Sequence, residues 1–485
     1  MSVSVRLYKK IHWPLLASLL TATLAACADL AGPAYQRPDV PTKTGWSQQV
    51  GSQPSAAEVI RPDWWTEFGD RYLDGLVQQT IAENSDLKIQ VARIERAKAE
   101  WGGAEGGLLP TLGIGGSATY QTGQQAGGPR QSGTTYALGG QGGQGPFLNW
   151  EIDIWGKTQK GIEASEAGYK ASEADWRAAY LTAISEVATI YFQIRQLDEQ
   201  IAQQQKTLAS NRQILAIYEA QLNEGIASSG QVLSQKAEVN RLEKDLLDLQ
   251  RQRKLGENSL ATLLGKPAGT LAVPVAPLRN TIRLVSVPAG LPADLLSRRP
   301  DLIAAEYRVL QAHQLTGQAR LAKLPTISLT GSGGLTSAAL SGLLKNWTFG
   351  LGPSINIPLF DASLDAKIKI QEAESRESAE SYRKTVLVAF QEVEDTLTNL
   401  AYHKEQKQQL EAQAENLRTV QRQVQAQLQE GLVSQLQVFE TERNLLAAEQ
   451  ALLAMHGQIL SDTVTLYKAL GGGWPEEAVK IGKAQ

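Results

Sequence analysis

Apolar residues in this chain follow two periods, and each period occurs twice. From Trp347 to Leu359 every second residue is apolar (Trp347, Phe349, Leu351, Pro353, Ile355, Ile357, Leu359), with Thr348, Gly350, Gly352, Ser354, Asn356 and Pro358 between them. Leu148, Trp150, Ile152 and Ile154 alternate in the same way with Asn149, Glu151 and Asp153. Leu112, Ile114, Ala118 and Tyr120, and later Ile327 and Leu329, sit among small polar neighbours. Period two predicts strands with one apolar face, at about 110–122, 135–155, 325–336 and 346–359. Their length suits a membrane-crossing strand, although a soluble sheet covered on one face gives the same alternation.

The second period is seven. Tyr180, Val187, Ile194, Ile201, Leu208, Leu215 and Leu222 recur without a miss, while the partners three residues on (Ala183, Ile190, Leu197) fade into Gln204 and Asn211. Near the C-terminus the repeating unit is a pair: Val438-Phe439, Leu445-Leu446, Leu452-Leu453, Ile459-Leu460, Leu466-Tyr467. Sustained heptads predict helices that supercoil against neighbours. The expected long helices are 157–223, 231–264, 363–429 and 435–470, the first extending roughly 100 Å at 1.5 Å per residue.

Strands and helices together make a unit that the chain contains twice. The first repeat covers 64–266 and the second 295–471, each opening on a short helix, with Pro110 answering Pro325, Trp155 Phe360, Gly225 Gly431, and Gly265 Gly471. A linker, 267–294, joins them, and 472–485 closes the chain. Duplicated units usually pack around a pseudo-axis and share one task. The fold class expected is α+β: four membrane strands per chain, with long antiparallel helices. Four strands cannot close, since a barrel needs about eight or more and an open edge is not tolerated in lipid. The strands must be pooled with copies of the same chain. The Gly-rich links Thr122–Gly133 and Gly331–Ser341 are expected to be the outward loops.

The first residues set a compartment. Arg6, Lys9 and Lys10 precede an apolar run, Ile11–Ala26, that ends in Leu24-Ala25-Ala26-Cys27. This reads as a lipoprotein signal peptide, 1–26, with Cys27 as the acylated first mature residue and 27–63 as a lipid-anchored lead. Cys27 is the single cysteine, so no disulfide framework exists. Asp29 takes the third mature position, where its effect on sorting between membranes is open.

Composition excludes several classes. The formal net charge is −3, and losing the basic signal makes the mature chain more acidic, so nucleic-acid binding has no support. His313, His403 and His456 lack ligand spacing, and neither a Walker loop nor GxSxG, HExxH or CxxC occurs. No cofactor beyond a covalent lipid on Cys27, no metal and no catalytic residues are expected. Glu151 and Asp153 could tune passage as lumen charges, but solvating the strand face or pairing with nearby bases is the preferred reading.

Several motifs now occur together in a fixed order: FLNWEIDIWGK, LLSRRPDLIAAEYRVLQA, AKLPTISLTG, PSINIPLFDAS, NEGIASSG and QEGLVSQLQVFETERNLL, with LAAC at the lipid site. Through them the chain resembles the TolC-like outer-membrane factors, specifically their NodT-type lipoprotein branch. The resemblance implies a homotrimer with a twelve-stranded barrel in the outer membrane, continuous with a periplasmic helical barrel. A belt of mixed structure would take in Arg279–Pro292 and Gly472–Gln485. It also implies a periplasmic adaptor, an inner-membrane resistance-nodulation-division pump and outer-membrane lipids as partners. The RRPD at Arg298–Asp301 is read as structural.

The gate implied by the resemblance lies where the long helices turn. Gly225 and Gly431 are expected as helix C-caps, followed by Ile226, Ala227, Ser228 and Ser229 in the first repeat and Leu432, Val433, Ser434 and Gln435 in the second. Related proteins often carry an aspartate ring near the place of Val433. Here Leu432 or Val433 would resist ions by dewetting, with Glu440 available as an acidic ring just inside. The same tips would meet the adaptor. The leading function is the exit channel of a tripartite efflux pump, passing drugs, toxic compounds or metal ions. A duct for type I protein secretion and a structural coiled-coil tether are the alternatives.

Overall fold

The computed structural model describes residues 31–41, 43–47, 61–123, 131–138, 146–278, 282–285, 287, 298–338, 340–342, 345 and 347–474. The signal, Cys27 and Asp29 lie outside the described residues, as do 475–485 and most of 279–297.

A 3-10 turn, Trp64–Phe68, leads into α1 (Arg71–Glu83) and α2 (Ser85–Gly106). Strands β1 (Thr111–Ile114), β2 (Gly116–Gly123), β3 (Gln131–Leu138) and β4 (Pro146–Ile152) follow, then the long α3 (Lys157–Asn223) and α4 (Ser229–Leu263). The second half runs α5 (Pro300–Leu321), β5 (Thr326–Ser337), β6 (Trp347–Asn356), α6 (Ala362–Gln429) and α7 (Gln435–Ala469). The duplication is plain in the lengths: α2 and α5 have 22 residues each, α3 and α6 have 67 and 68, and α4 and α7 have 35 each. Among the described residues no helix is long and apolar enough to cross a membrane.

Contacts divide the chain into two compact units. The first takes Met1–Asp39, Arg93–Ser172 and Ala304–Arg383, and the second takes the remainder, so α3 and α6 contribute to both.

The sheet belongs to the first unit. Its order is β1-β4-β5-β3-β2, with β6 on β5. β1 and β2 pair antiparallel with β4 and β3, β5 pairs with both β3 and β4, and β6 pairs with β5. The six segments therefore trace four antiparallel strands in chain order. The outer two, β1–β2 and β6, have no strand on their far side among the described residues. The strand expected over 135–155 starts earlier, at Gln131, and 139–145 lie outside the described residues. The glycine-rich link Gly331–Ser341 is not a loop over most of its length. Its residues to Ser337 belong to β5, where Gly331 and Gly333 face Leu351 and Phe349 across the ladder. A strand facing bulky neighbours is where glycine fits.

In the second unit Trp64 stacks on Tyr467 with centroids 4.8 Å apart, and Phe68 meets Phe192 edge-on at 4.9 Å. Asp70 caps α1 by accepting from the Tyr72 N–H at 2.8 Å. The heptad residues Tyr180, Val187, Ile194 and Leu208 are buried, as are both members of the α7 pairs from Leu445 to Tyr467. The fading positions are not surface breaks. Gln204 and Asn211 are buried amides: Gln204 Nε2 donates to Leu242 O at 3.0 Å, and Gln235 Nε2 donates to Asn211 Oδ1 at 3.1 Å. Buried polar groups persist when they are hydrogen-bonded.

Arg299, buried, donates to Ala469 O at 3.0 Å and pairs with Asp301 and Glu392, each at 2.7 Å. It satisfies a carbonyl at the end of α7, which is the structural role expected of the RRPD motif.

Candidate functional site

Two features carry functional geometry: the sheet of the first unit and the helix turns of the second.

The register sorts the sheet into two faces. Leu112 opposes Leu148, Trp150 opposes Leu329, Leu329 opposes Pro353, and Ile152 and Ile355 flank Ile327. Asn149, Thr330 and Gly352 line up on the other face, as do Glu151, Ser328 and Ser354. The apolar face is uncovered where it is most apolar: Leu112 is 77% exposed and Trp347 74%. A surface of this kind is a partner or membrane face. The polar face carries few charges, and those are engaged. Glu151 pairs with Lys157 at 2.5 Å, and Asp153 accepts from the Gln159 N–H at 2.8 Å, holding the start of α3.

At the helix turns the two repeats end alike. Gly225 and Gly431 both have φ 72°, a conformation that costs glycine least. The Gly225 N–H donates to Leu222 O at 3.0 Å and Ile226 N–H to Gln221 O at 2.8 Å. Gly431 N–H donates to Leu428 O at 3.0 Å and Leu432 N–H to Gln427 O at 2.9 Å. Both are Schellman endings that satisfy carbonyls the helix leaves open. Ile226 and Leu432, the next residues, stand out at 75% and 74% exposure. Ala227 and Val433 are half-buried, and Glu440 is exposed one turn into α7.

The N-caps differ. Ser228 forms a capping box: its Oγ accepts from the Gln231 N–H at 3.3 Å, while Gln231 Oε1 accepts from the Ser228 N–H at 2.8 Å. Ser434 caps α7 without a side-chain bond, and Gln435 opens that helix.

The charge pattern near the turns hid one residue. Glu442, two positions past Glu440, lines a groove of about 620 Å³ together with Lys206, Ser210, Arg418 and Glu449. Burial raises its carboxyl above the usual range, opposed by a hydrogen bond from Asn211. Arg418 bridges to Glu449 at 2.8 Å in the same groove. The signal was in the sequence as a carboxylate three residues from Phe439 on one side and from Leu445 on the other, but a heptad count does not separate a groove wall from an exposed flank. Among the described residues no cluster of three or more His, Cys, Asp or Glu could hold a metal.

A family model for outer membrane efflux proteins matches residues 76–266 and 291–472, one match on each repeat. The chain belongs to that family. It is 30% identical over 461 residues to the probable efflux pump outer membrane protein TtgC of Pseudomonas putida, covering 92% of this chain and 93% of that one. It is 30% identical over 475 residues to the probable outer membrane lipoprotein SilC of Salmonella typhimurium, covering 93% and 97%. The solved outer-membrane channel OprN superposes with a TM-score of 0.81 at 28% identity, over 92% of this chain and 99% of that one. This chain is accordingly an outer-membrane efflux channel protein, a conduit and not an enzyme.

Proposed function

We propose that the chain forms, as a homotrimer, the exit channel of a tripartite efflux pump, conducting small molecules passively across the outer membrane. The observation that carries this reading is the four-stranded sheet with one uncovered apolar face and two open edges. Alone it would leave unpaired backbone groups in lipid, at a cost of several kcal/mol each. Three copies give a closed barrel of twelve strands with the apolar face outward and Asn149, Glu151, Ser328 and Ser354 inward. The long helices would continue it as a periplasmic tunnel, with the linker and the C-terminal segment in its belt.

Cys27 would carry the lipid anchor. The exposed turns, Gly225–Ser228 and Gly431–Gln435, would form the periplasmic gate and the adaptor-docking tips. Ile226 and Leu432 supply an apolar constriction there, with Glu440 behind it. Energy would come from an inner-membrane pump reached through the adaptor. The lipobox favours efflux over type I secretion, and the matched sheet leaves a bare tether without a use for its strands.

Purified protein in a planar bilayer tests the reading. A low, discrete single-channel conductance is expected, rising when Leu432 and Val433 are both replaced by serine. A chain that is monomeric in detergent and conducts nothing would overturn it.

A further inference from the structure

The chain contains its own template for the seam between copies. Within one chain the first repeat meets the second along β4 and β5, where Asn149 opposes Thr330, Trp150 opposes Leu329 and Ile152 opposes Ile327. At the end of that seam Trp155 is partly buried, and its Nε1 donates to Pro325 O at 2.6 Å. In the second repeat the strand equivalent to β4 is β6, since WEIDIWGK aligns with INIPLFDA and sets Trp155 on Phe360. In the first repeat the stretch equivalent to β5 is β1 and the start of β2, since LPTLGIGG aligns with LPTISLTG and sets Pro110 on Pro325. These equivalent edges are the two left open in the single chain. The equivalent aromatic, Phe360, is bare at 93% exposure, because among the described residues no strand lies beyond β6 to supply a proline beneath it.

We propose that β6 pairs with β1–β2 of a second copy in the register of the internal seam, Ile355 opposite Ile114 and Ile357 opposite Leu112, with Phe360 seated on Pro110 of that copy. The inference rests on the barrel reading above and adds the residues that close it. Two properties of the sequence agree with the register, although neither was used to obtain it. It carries the apolar face straight across the seam, since the odd-numbered apolar residues of β6 meet the even-numbered ones of β1–β2. A one-residue slip would set them against the polar face. Continued outward, it places Phe349 opposite Tyr120, both largely exposed in the single chain, as a cross-strand aromatic pair. Phenylalanine lacks the indole donor, so the seam between copies is held at this point by apolar contact alone.

Slips of two residues keep the faces and must be separated by distance. Directly opposed residues lie about 5 Å apart between Cα atoms, within reach of a disulfide. Diagonal neighbours at about 7–8 Å lie mostly beyond it. The test uses the full chain in outer membranes, where Cys27 is the only native cysteine. The matched pair Ile114→Cys/Ile355→Cys is compared after oxidation with the slipped pairs Leu112→Cys/Ile355→Cys and Gly116→Cys/Ile355→Cys. Roughly tenfold more covalent oligomer is expected for the matched pair. Preferential cross-linking of a slipped pair, or of none in a chain that is trimeric by native mass, overturns the register. A monomeric native mass for the unsubstituted chain would instead overturn the channel reading. Because cysteine pairs can hinder assembly, a second measurement follows oligomer dissociation on heating in detergent. Phe360→Trp, which restores a donor to Pro110 O, should raise the dissociation temperature, and Phe360→Ala should lower it. No change in either would remove the seat.

Discussion

The two helical hairpins share their ends and differ inside. Both long helices finish on a glycine at φ 72°, and both returning helices finish on one as well, Gly265 at φ 68° and Gly471 at φ 87°. Midway, the first hairpin buries an ionic network. Asp198 accepts from Arg195 at 3.2 Å and Arg253 at 2.5 Å, while Glu257 takes Arg253 at 2.6 Å and Lys254 at 2.9 Å. The corresponding positions of the second hairpin hold Ala401, Lys404, Ile459 and Thr463, with Ile459 and Thr463 buried. The network reaches beyond the hairpin to the linker between repeats. Arg253 donates to Val273 O at 2.8 Å, Glu257 accepts from the Val273 N–H at 2.9 Å, and Arg195 donates to Pro274 O. The first hairpin holds the linker through these charges, whereas at the same level of the second the buried Asp462 meets His403 within the hairpin at 2.6 Å. Duplication kept what closes a helix and let the interior follow the neighbours.

The sharpest way to break the comparison is to remove one partner. Asp198→Ala takes from the buried Arg195 its carboxylate partner and from the half-buried Arg253 one of two, which by analogy with broken buried pairs costs about 3–5 kcal/mol. Lys404→Ala, at the exposed equivalent, should stay within about 0.5 kcal/mol. Denaturant unfolding followed by circular dichroism in detergent measures both, and equal losses would mean that the network is incidental. The shared ends predict the opposite pattern. Gly225→Ala and Gly431→Ala place a Cβ in the left-handed region with nothing within 4 Å to clash, so each should lose about 1–2 kcal/mol from strain alone. A loss at only one turn would show that the repeats have diverged there too.

The turns part company at the N-cap. Ser228→Ala removes a side-chain cap and should destabilise its turn by about 1 kcal/mol, whereas Ser434→Ala removes no such bond and should cost a few tenths. Hydrogen exchange at the Gln231 and Gln437 amides reports each turn separately. Faster exchange at both to the same degree would cancel the distinction.

Much of this was legible in the residues. Periods of two and seven gave the strands and helices, and matching glycines gave both turns, because these follow from local geometry. The glycines of β5 misled, since a glycine run reads as a loop unless its bulky cross-strand neighbours are known. Gln204 and Asn211 looked like the end of a core, and only the paired helices show their amides meeting Leu242 O and Gln235. The ionic network was invisible because its members lie on two helices and a linker, and glutamates beside lysines usually mark a solvated face.

The smallest predicted effect concerns a position at which the hairpins are opposites. Lys236 in α4 is exposed beside Glu219, 3.8 Å away, while its counterpart in α7 is the half-buried Glu442. Burial is the larger influence on Glu442, with the nearby Glu238 adding to it and the Asn211 bond opposing it, so its folded pKa lies above the unfolded one. The sign follows from linkage. The stability gained by the protonated carboxyl is complete below the unfolded pKa and disappears as pH rises through the raised folded pKa. Glu442→Gln keeps the neutral form at every pH. The variant should therefore match the parent in acid and become the more stable of the two on the way to neutrality. Unrelated titrations shift both proteins together, including Glu257, whose pKa is lowered by its bonds to Lys254, the Val273 N–H and Arg253 against the effect of burial. The difference between two unfolding series across pH is thus the quantity to measure. A gap that stays constant with pH would mean that Glu442 is solvated in the folded protein, and that the groove it shares with Arg418 and Glu449 is open to water.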